Sequence, residues 1–320
     1  MITRRRFVEL CSAAAATASA RLGASEARFR IRGIGISNYT VGTGNWNSDP
    51  IGTAFPEAAK LGYHYMEVFK ATIQPYWDKP QELKDKMQQM GLRGFSCISS
   101  GPPMRMQFAD AAVASQLIAD HMELALWGKK WFGIDHLKTN TDRRRPEGTT
   151  AEDLTVMAKT MNELGKRLAD EGMTFAPHPH LWTQLQTRTD IARLMDLTNP
   201  KYVFLTLDTG HATMAGMDPV ELTKAYWSRF AEVHFKDTKP EDRGGHKGAT
   251  PEQAHYRDKG NRIFYELGTG GVDFPAIMAV LKKNNWDGWL DVELDSTDTT
   301  CQESAAVSKK YMEGVLHLTL

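Results

Sequence analysis

From Arg28 onward, short apolar runs rich in β-branched and aromatic residues alternate with longer stretches whose apolar residues recur every three or four positions. The short runs predict strands at Ile31–Ser37, His64–Phe69, Leu92–Ser99, Trp131–Lys138, Met173–His178, Tyr202–Asp208, Glu232–Asp237 and Trp289–Leu294. The longer stretches predict helices over Thr53–Leu61, Gln81–Met90, Ala109–Trp127, Ala151–Glu171, Asp190–Leu197, Pro219–Phe230 and Phe274–Asn285, with a last one at Gln302–Leu316. Gly62, Gly91 and Gly172 each follow a predicted helix as a stop signal. Glu152 and Asp153 near one helix start, and Lys282 and Lys283 near another's end, suit the helix dipole. Eight strands alternating with helices in a chain of 320 residues predict an α/β fold, a single-domain (β/α)8 TIM barrel over residues 28–320. The alternative, a doubly wound sheet binding a dinucleotide, lacks a Gly-x-Gly-x-x-Gly after its first strand.

Residues 1–25 stand outside this pattern. Thr3-Arg4-Arg5-Arg6-Phe7-Val8, followed by an Ala-rich stretch and the small residues Ala18-Ser19-Ala20, resembles a twin-arginine export signal. That implies a periplasmic protein. The stretch is too short and too weakly apolar to serve as a membrane anchor.

Composition then removes some functions. Lys plus Arg equals Asp plus Glu at 39 each, and no basic stripe with interleaved aromatics is present, which argues against a nucleic-acid partner. Cys11, Cys97 and Cys301 show no metal or redox spacing, and Cys97 reads as a small buried hydrophobe. Residues 238–271 are long for a strand–helix loop and rich in charge, Gly and His, as expected of a segment covering a site. Nothing in the sequence fixes an oligomeric state.

The chemistry gathers at the late strand ends. In Leu205-Thr206-Leu207-Asp208-Thr209-Gly210-His211 an apolar run stops at an acid that can either cap the next helix or bind a metal. Gly210 would permit a tight turn there. The fifth strand ends Pro177-His178-Pro179-His180, the seventh Val233-His234-Phe235-Lys236-Asp237, and the eighth Leu290-Asp291-Val292-Glu293-Leu294-Asp295. In a barrel all carboxyl ends lie on one face, so His178, Asp208, His234 and Glu293 converge as a mixed N/O set suited to Mn, Co, Zn or Fe. His180 competes with His178 for the ligand role, and His211 is placed beside the ligands or facing substrate.

These motifs, with Gly62-Tyr63-His64-Tyr65-Met66-Glu67, Leu267-Gly268-Thr269-Gly270-Gly271-Val272-Asp273-Phe274 and Trp286-Asp287-Gly288-Trp289, resemble the sugar isomerase/epimerase family with a xylose isomerase-like TIM barrel, over roughly residues 31–316. The resemblance implies metal ligation by Asp208, His234 and Glu293. It departs at strand five, where the family's epimerases carry a Glu and this chain has His178, so a proton-transfer pair made of two metal-bound carboxylates is not available.

The implied activity is that of an isomerase or epimerase: metal-assisted removal of a proton next to a carbonyl gives an enediolate, which is reprotonated on another carbon or on the other face. Glu293, His180, His211 and Lys138 are candidate bases; Glu67, Lys236 and Asp237 are candidate substrate-binding groups. Export and the lack of a Gly-rich phosphate cradle favour a free sugar, keto-sugar or glycoside. The rival expectations are a 3-keto-glycoside 1,2-eliminase or inosose dehydratase-like lyase, and a periplasmic sugar-binding protein without catalysis.

Overall fold

The computed structural model describes residues 28–37, 46, 48–101, 104–252, 256 and 260–320; the expected export signal lies outside them. Eight strands, β1 (Arg30–Ser37), β2 (Tyr65–Phe69), β3 (Gly94–Ser100), β4 (His136–Thr139), β5 (Thr174–Pro177), β6 (Leu205–Asp208), β7 (Phe230–Phe235) and β8 (Asp287–Val292), form one sheet in the order β5-β4-β3-β2-β1-β8-β7-β6. Every pairing is parallel. Only β5 and β6 lack a ladder. They meet through the bridge Phe175–Val203 and the Phe204 N–H donating to the Phe175 carbonyl at 2.8 Å, so the sheet is a nearly closed barrel.

Around it run α1 (Phe55–Lys60), α2 (Pro80–Met90), α3 (Ala114–Phe132), α4 (Ala151–Asp170), α5 (Arg188–Leu197), α6 (Thr209–Met214), α7 (Pro219–Tyr226), α8 (Phe274–Lys283) and α9 (Cys301–Gly314). Thr150, Thr187 and Thr300 open α4, α5 and α9 with capping boxes closed by Asp153, Asp190 and Glu303. Helix α4 buries Leu154, Met157, Met161, Leu164 and Leu168, the three-and-four spacing that pins it to the barrel. Gly165 on the same helix comes so near the Tyr202 carbonyl that a Cβ would sit 2.3 Å from its oxygen.

Several predicted boundaries move, among them that of the eighth strand, which runs Asp287–Val292 and leaves Glu293 just beyond it. Trp131 and Phe132 belong to the end of α3, not to the fourth strand, because Phe132 packs against Phe95 and Trp127 at ring-centroid distances of 4.7 and 5.3 Å. Phe230 begins β7 rather than ending a helix, and β7 stops at Phe235, leaving Lys236 and Asp237 just beyond it.

One buried histidine of the wall sets an acid limit. His121 on α3 is fully buried, its Nδ1–H donating to the Leu117 carbonyl at 2.7 Å and its Nε2 3.3 Å from Thr139 Oγ1. Burial pushes its pKa down from about 6.5 to about 4, against the opposing pull of the Leu117 carbonyl. Above pH 6.5 it is neutral folded or unfolded. Between 6.5 and 4 only the unfolded chain takes the proton, so stability falls as pH falls, by about 3 kcal/mol in all. Urea unfolding of the wild type and of His121→Gln at pH 7 and pH 4 is expected to show the variant losing about 3 kcal/mol less. Parallel losses would refute it.

Candidate metal centre

The carboxyl ends of β5 to β8 bring His178, Asp208, His234 and Glu293 together, with one ligand atom of each within 4.8 Å of all the others. Asp208 caps the next helix with one oxygen and keeps the other turned into the cluster. Its Oδ1 accepts the His211 backbone N–H at 2.8 Å and caps α6, while its Oδ2 is buried and accepts no hydrogen bond. His178 Nε2, 3.6 Å from that oxygen, is likewise buried without a hydrogen-bond partner. Two buried acceptors turned toward each other without hydrogen bonds are costly on their own, and a cation between them would remove the cost.

Neighbours orient each ligand. Asn140, one residue beyond β4, accepts the His178 Nδ1–H on its Oδ1 at 2.8 Å, which leaves the lone pair on Nε2. Burial, with Lys138 and His234 next, keeps the His178 pKa well below the ordinary value, so the ring is neutral, as a ligand must be. His234 places Nδ1 against Glu293 Oε2 and 3.9 Å from Asp208 Oδ2, while Nε2 lies 2.9 Å from Glu67 Oε2. Glu67 in turn pairs with Lys138, so a Lys–Glu–His chain runs from inside the barrel to Nε2, the ring nitrogen opposite the one that faces Asp208 and Glu293.

That chain shows where two of the expected site residues point. Glu67 is buried and spent on His234 and Lys138 rather than turned to substrate. Lys138 is paired with Glu67: burial works against its charge, but Glu67 and then Glu293 outweigh burial and hold the ammonium protonated far above neutrality. Asp237 is not brought into the cluster at all. Its carboxylate accepts the backbone N–H groups of Thr238, Gly268, Gly270 and Val272 at 2.9–3.0 Å and anchors the long loop.

Lys236 does reach the centre. Its Nζ donates to Asp295 Oδ1 at 2.7 Å and Glu293 Oε1 at 3.1 Å and lies 3.6 Å from Asp208 Oδ2. It also lies 3.1 Å from His211 Nε2 and 4.5 Å from the centre of the Phe264 ring. Gly210 matters for this stem rather than for a turn: it sits inside α6, and a Cβ there would be 2.8 Å from Lys236 Cγ.

The His180 and His211 rings lie 3.4 Å apart between centroids, tilted by 36°. Burial lowers both pKa values, helped by Lys236 for His180 and by His180 and Lys236 for His211. The His180 Nδ1–H donates to the Leu181 carbonyl at 2.7 Å, so its free lone pair is on Nε2. Lys236 donates to His211 Nε2, which puts the His211 proton on Nδ1, a buried nitrogen without a partner.

The long loop covers this pair as expected. Phe264 meets His211 at 4.7 Å and Tyr256 meets Trp182 at 4.6 Å, with the Tyr256 hydroxyl donating to Asp295 Oδ2 at 2.8 Å. Asn140, Trp182, Tyr256 and Phe264 carry no motif or period that singles them out. Trp182 adopts φ +66°, a conformation costly for a bulky residue, and its Nε1–H donates to the Pro251 carbonyl at 2.7 Å.

By sequence the chain is similar to the inosose dehydratase of Clostridium botulinum strain Alaska E43, 35% identical over 166 residues that make up 51% of this chain and 54% of that one. It thus spans about half the length of the curated relatives it matches. In fold it is similar to the D-allulose 3-epimerase of Methylomonas sp. in complex with D-allulose, at 20% identity and TM-score 0.63 over 91% of this chain and 98% of that one. It is also similar to the IOLI protein with a bound zinc atom, at 16% identity and TM-score 0.66 over 90% and 99%. Residues 55–313 match the xylose isomerase-like TIM barrel model, and the chain belongs to that family.

Proposed function

We propose that this protein is a metal-dependent enzyme that removes a proton from the carbon next to a carbonyl in an unphosphorylated sugar-like substrate. One observation carries the reading: His178 Nε2 and Asp208 Oδ2, both buried and without a hydrogen bond, face one another inside a four-residue set of candidate ligands. His178, Asp208, His234 and Glu293 would hold the cation; zinc-bound and magnesium-bound relatives of this fold make a divalent ion the natural occupant. The cation would polarise the carbonyl and stabilise the enediolate charge.

The proton is handled by the chain's own side chains. Of the candidates, Lys138 is a fixed ammonium and Glu293 is held by His234 and Lys236, which leaves His180 as the base. Its tautomer puts the lone pair on Nε2, and its lowered pKa keeps that lone pair free at neutral pH. His211 offers its Nδ1–H to a substrate oxygen. Among outcomes of the shared intermediate we favour elimination over epimerisation, with isomerisation as the alternative. Curated sequence relatives are named inosose dehydratases, and strand five supplies His178 where a second proton-transferring carboxylate would stand. The reading includes residues 1–25 as an export signal, which accords with a substrate that carries no phosphate.

The test incubates metal-loaded protein with 3-keto-glucosides, inosose and free ketoses in deuterated water. Loss of water or of an aglycone supports elimination. Deuterium next to the carbonyl of an intact skeleton supports isomerase or epimerase action. No exchange and no release with any of them sinks proton abstraction.

A further inference from the structure

Below the ligands the barrel interior is charged where branched apolar layers are the rule: Glu67, His136, Lys138, Glu232, His234 and Asp291 are all buried there. Part of this network is explained by the Lys138–Glu67–His234 chain. Glu232 is not. It is fully buried on β7, and neither of its oxygens accepts a hydrogen bond.

We propose that Cys97 on β3, His136 on β4 and Glu232 on β7 form a second cation site, separate from the metal centre at the strand ends, that takes a thiophilic dication such as Zn(II) or Co(II). Their ligand atoms lie within 4.8 Å of one another. His136 Nε2 stands 3.4 Å from Glu232 Oε2, and donors around a tetrahedral ion at ~2.0–2.3 Å are themselves about 3.3–3.8 Å apart. His136 Nε2, like the Glu232 oxygens, is buried without a hydrogen-bond partner.

The ring is also oriented for the task. His136 Nδ1 donates to Asp135 Oδ1 at 2.9 Å, and Asp135 is fixed by Arg32 at 2.7 Å and by the Trp289 Nε1–H at 3.0 Å. A carboxylate holding one ring nitrogen while the other faces the remaining donors is the usual arrangement behind a metal-bound histidine. A mixed S/N/O set suits a borderline ion rather than Mg or Ca. Loading balances in charge: the dication enters as the Cys97 thiol and the His136 imidazolium each release one proton to solvent, with no redox change. Glu232 Oε2 also lies 3.4 Å from His234 Nε2, so this site backs onto the ring whose Nδ1 serves the first centre.

The experiment loads the full chain with Co(II) and reads metal per chain and the near-ultraviolet sulfur-to-cobalt charge-transfer band, which the first centre, having no sulfur ligand, cannot give. A Cys11→Ser/Cys301→Ser background makes Cys97 the only thiol. Expected are about two cobalt ions per chain with the band, falling to one ion and no band in Cys97→Ser, and to one ion with the band intact in Asp208→Asn. Should Cys97→Ser not fold, the background protein decides the matter alone. A folded background protein with one ion and no band, or a band that survives Cys97→Ser, overturns the proposal; neither result touches the reading of the first centre, which rests on the Asp208-dependent ion.

Discussion

Asp208→Asn is expected to release the metal of the strand-end centre and to slow proton exchange on the substrate by about 10³-fold, while leaving the fold in place. The two carboxylate oxygens have separate tasks, and the substitution divides them. Asn keeps an oxygen where Oδ1 accepts the His211 N–H, so the α6 cap survives. Its amide replaces Oδ2, removing the ligand charge, and can donate to His178 Nε2 3.6 Å away. Loss of several kcal/mol of transition-state charge stabilisation corresponds to that factor. Thermal stability of the metal-free protein changes by only about 1 kcal/mol, because a satisfied hydrogen-bond set is kept. Asp208→Ala, in contrast, also loses the cap, about 1 kcal/mol more. Metal content by mass spectrometry, deuterium exchange and melting temperature separate these effects. Full exchange activity in a metal-free Asp208→Asn protein would refute the role.

The strand ends were legible because a barrel strand is a short apolar run, and a polar residue that interrupts its end stands out. That much located His178, Asp208, His234 and Glu293 on four strands. The fourth strand was misplaced for the same reason: Trp131-Phe132 is an apolar run too, used by α3 to pack on Phe95. A linear pattern does not tell a polar side chain facing substrate from one paired inside the barrel. Glu67 and Lys138 meet across 71 residues, and Asp237 is claimed by amides about 30 residues on. Asn140, Asp135 and Glu232 matter only through such partners, so no motif announces them. Cys97 shows the limit in another form: its neighbours His136 and Glu232 lie on other strands, outside any local spacing.

Lys236→Met gives the largest expected loss of stability, and its size depends on whether metal is bound. The Lys236 ammonium is fully buried among Asp295, Glu293 and Asp208, with the Phe264 ring and His211 closing the remaining sides. Burial opposes its charge, but Asp295, Glu293 and Asp208 together hold it protonated far above neutrality. Methionine reproduces the stem against Phe264 and the space beside Gly210 but supplies no charge. Three carboxylates are then left to one another, and breaking a buried pair from one side costs about 3–5 kcal/mol. In a barrel of this size that lowers the melting temperature of the metal-free protein by roughly 10 °C. A bound dication offsets Asp208 and Glu293, leaving only Asp295, which keeps the Tyr256 hydroxyl. The difference between wild type and variant should therefore shrink to less than half on saturation with metal, read by calorimetry with and without chelator. An equal loss in both states would mean that Lys236 and the cation do not share the same carboxylates.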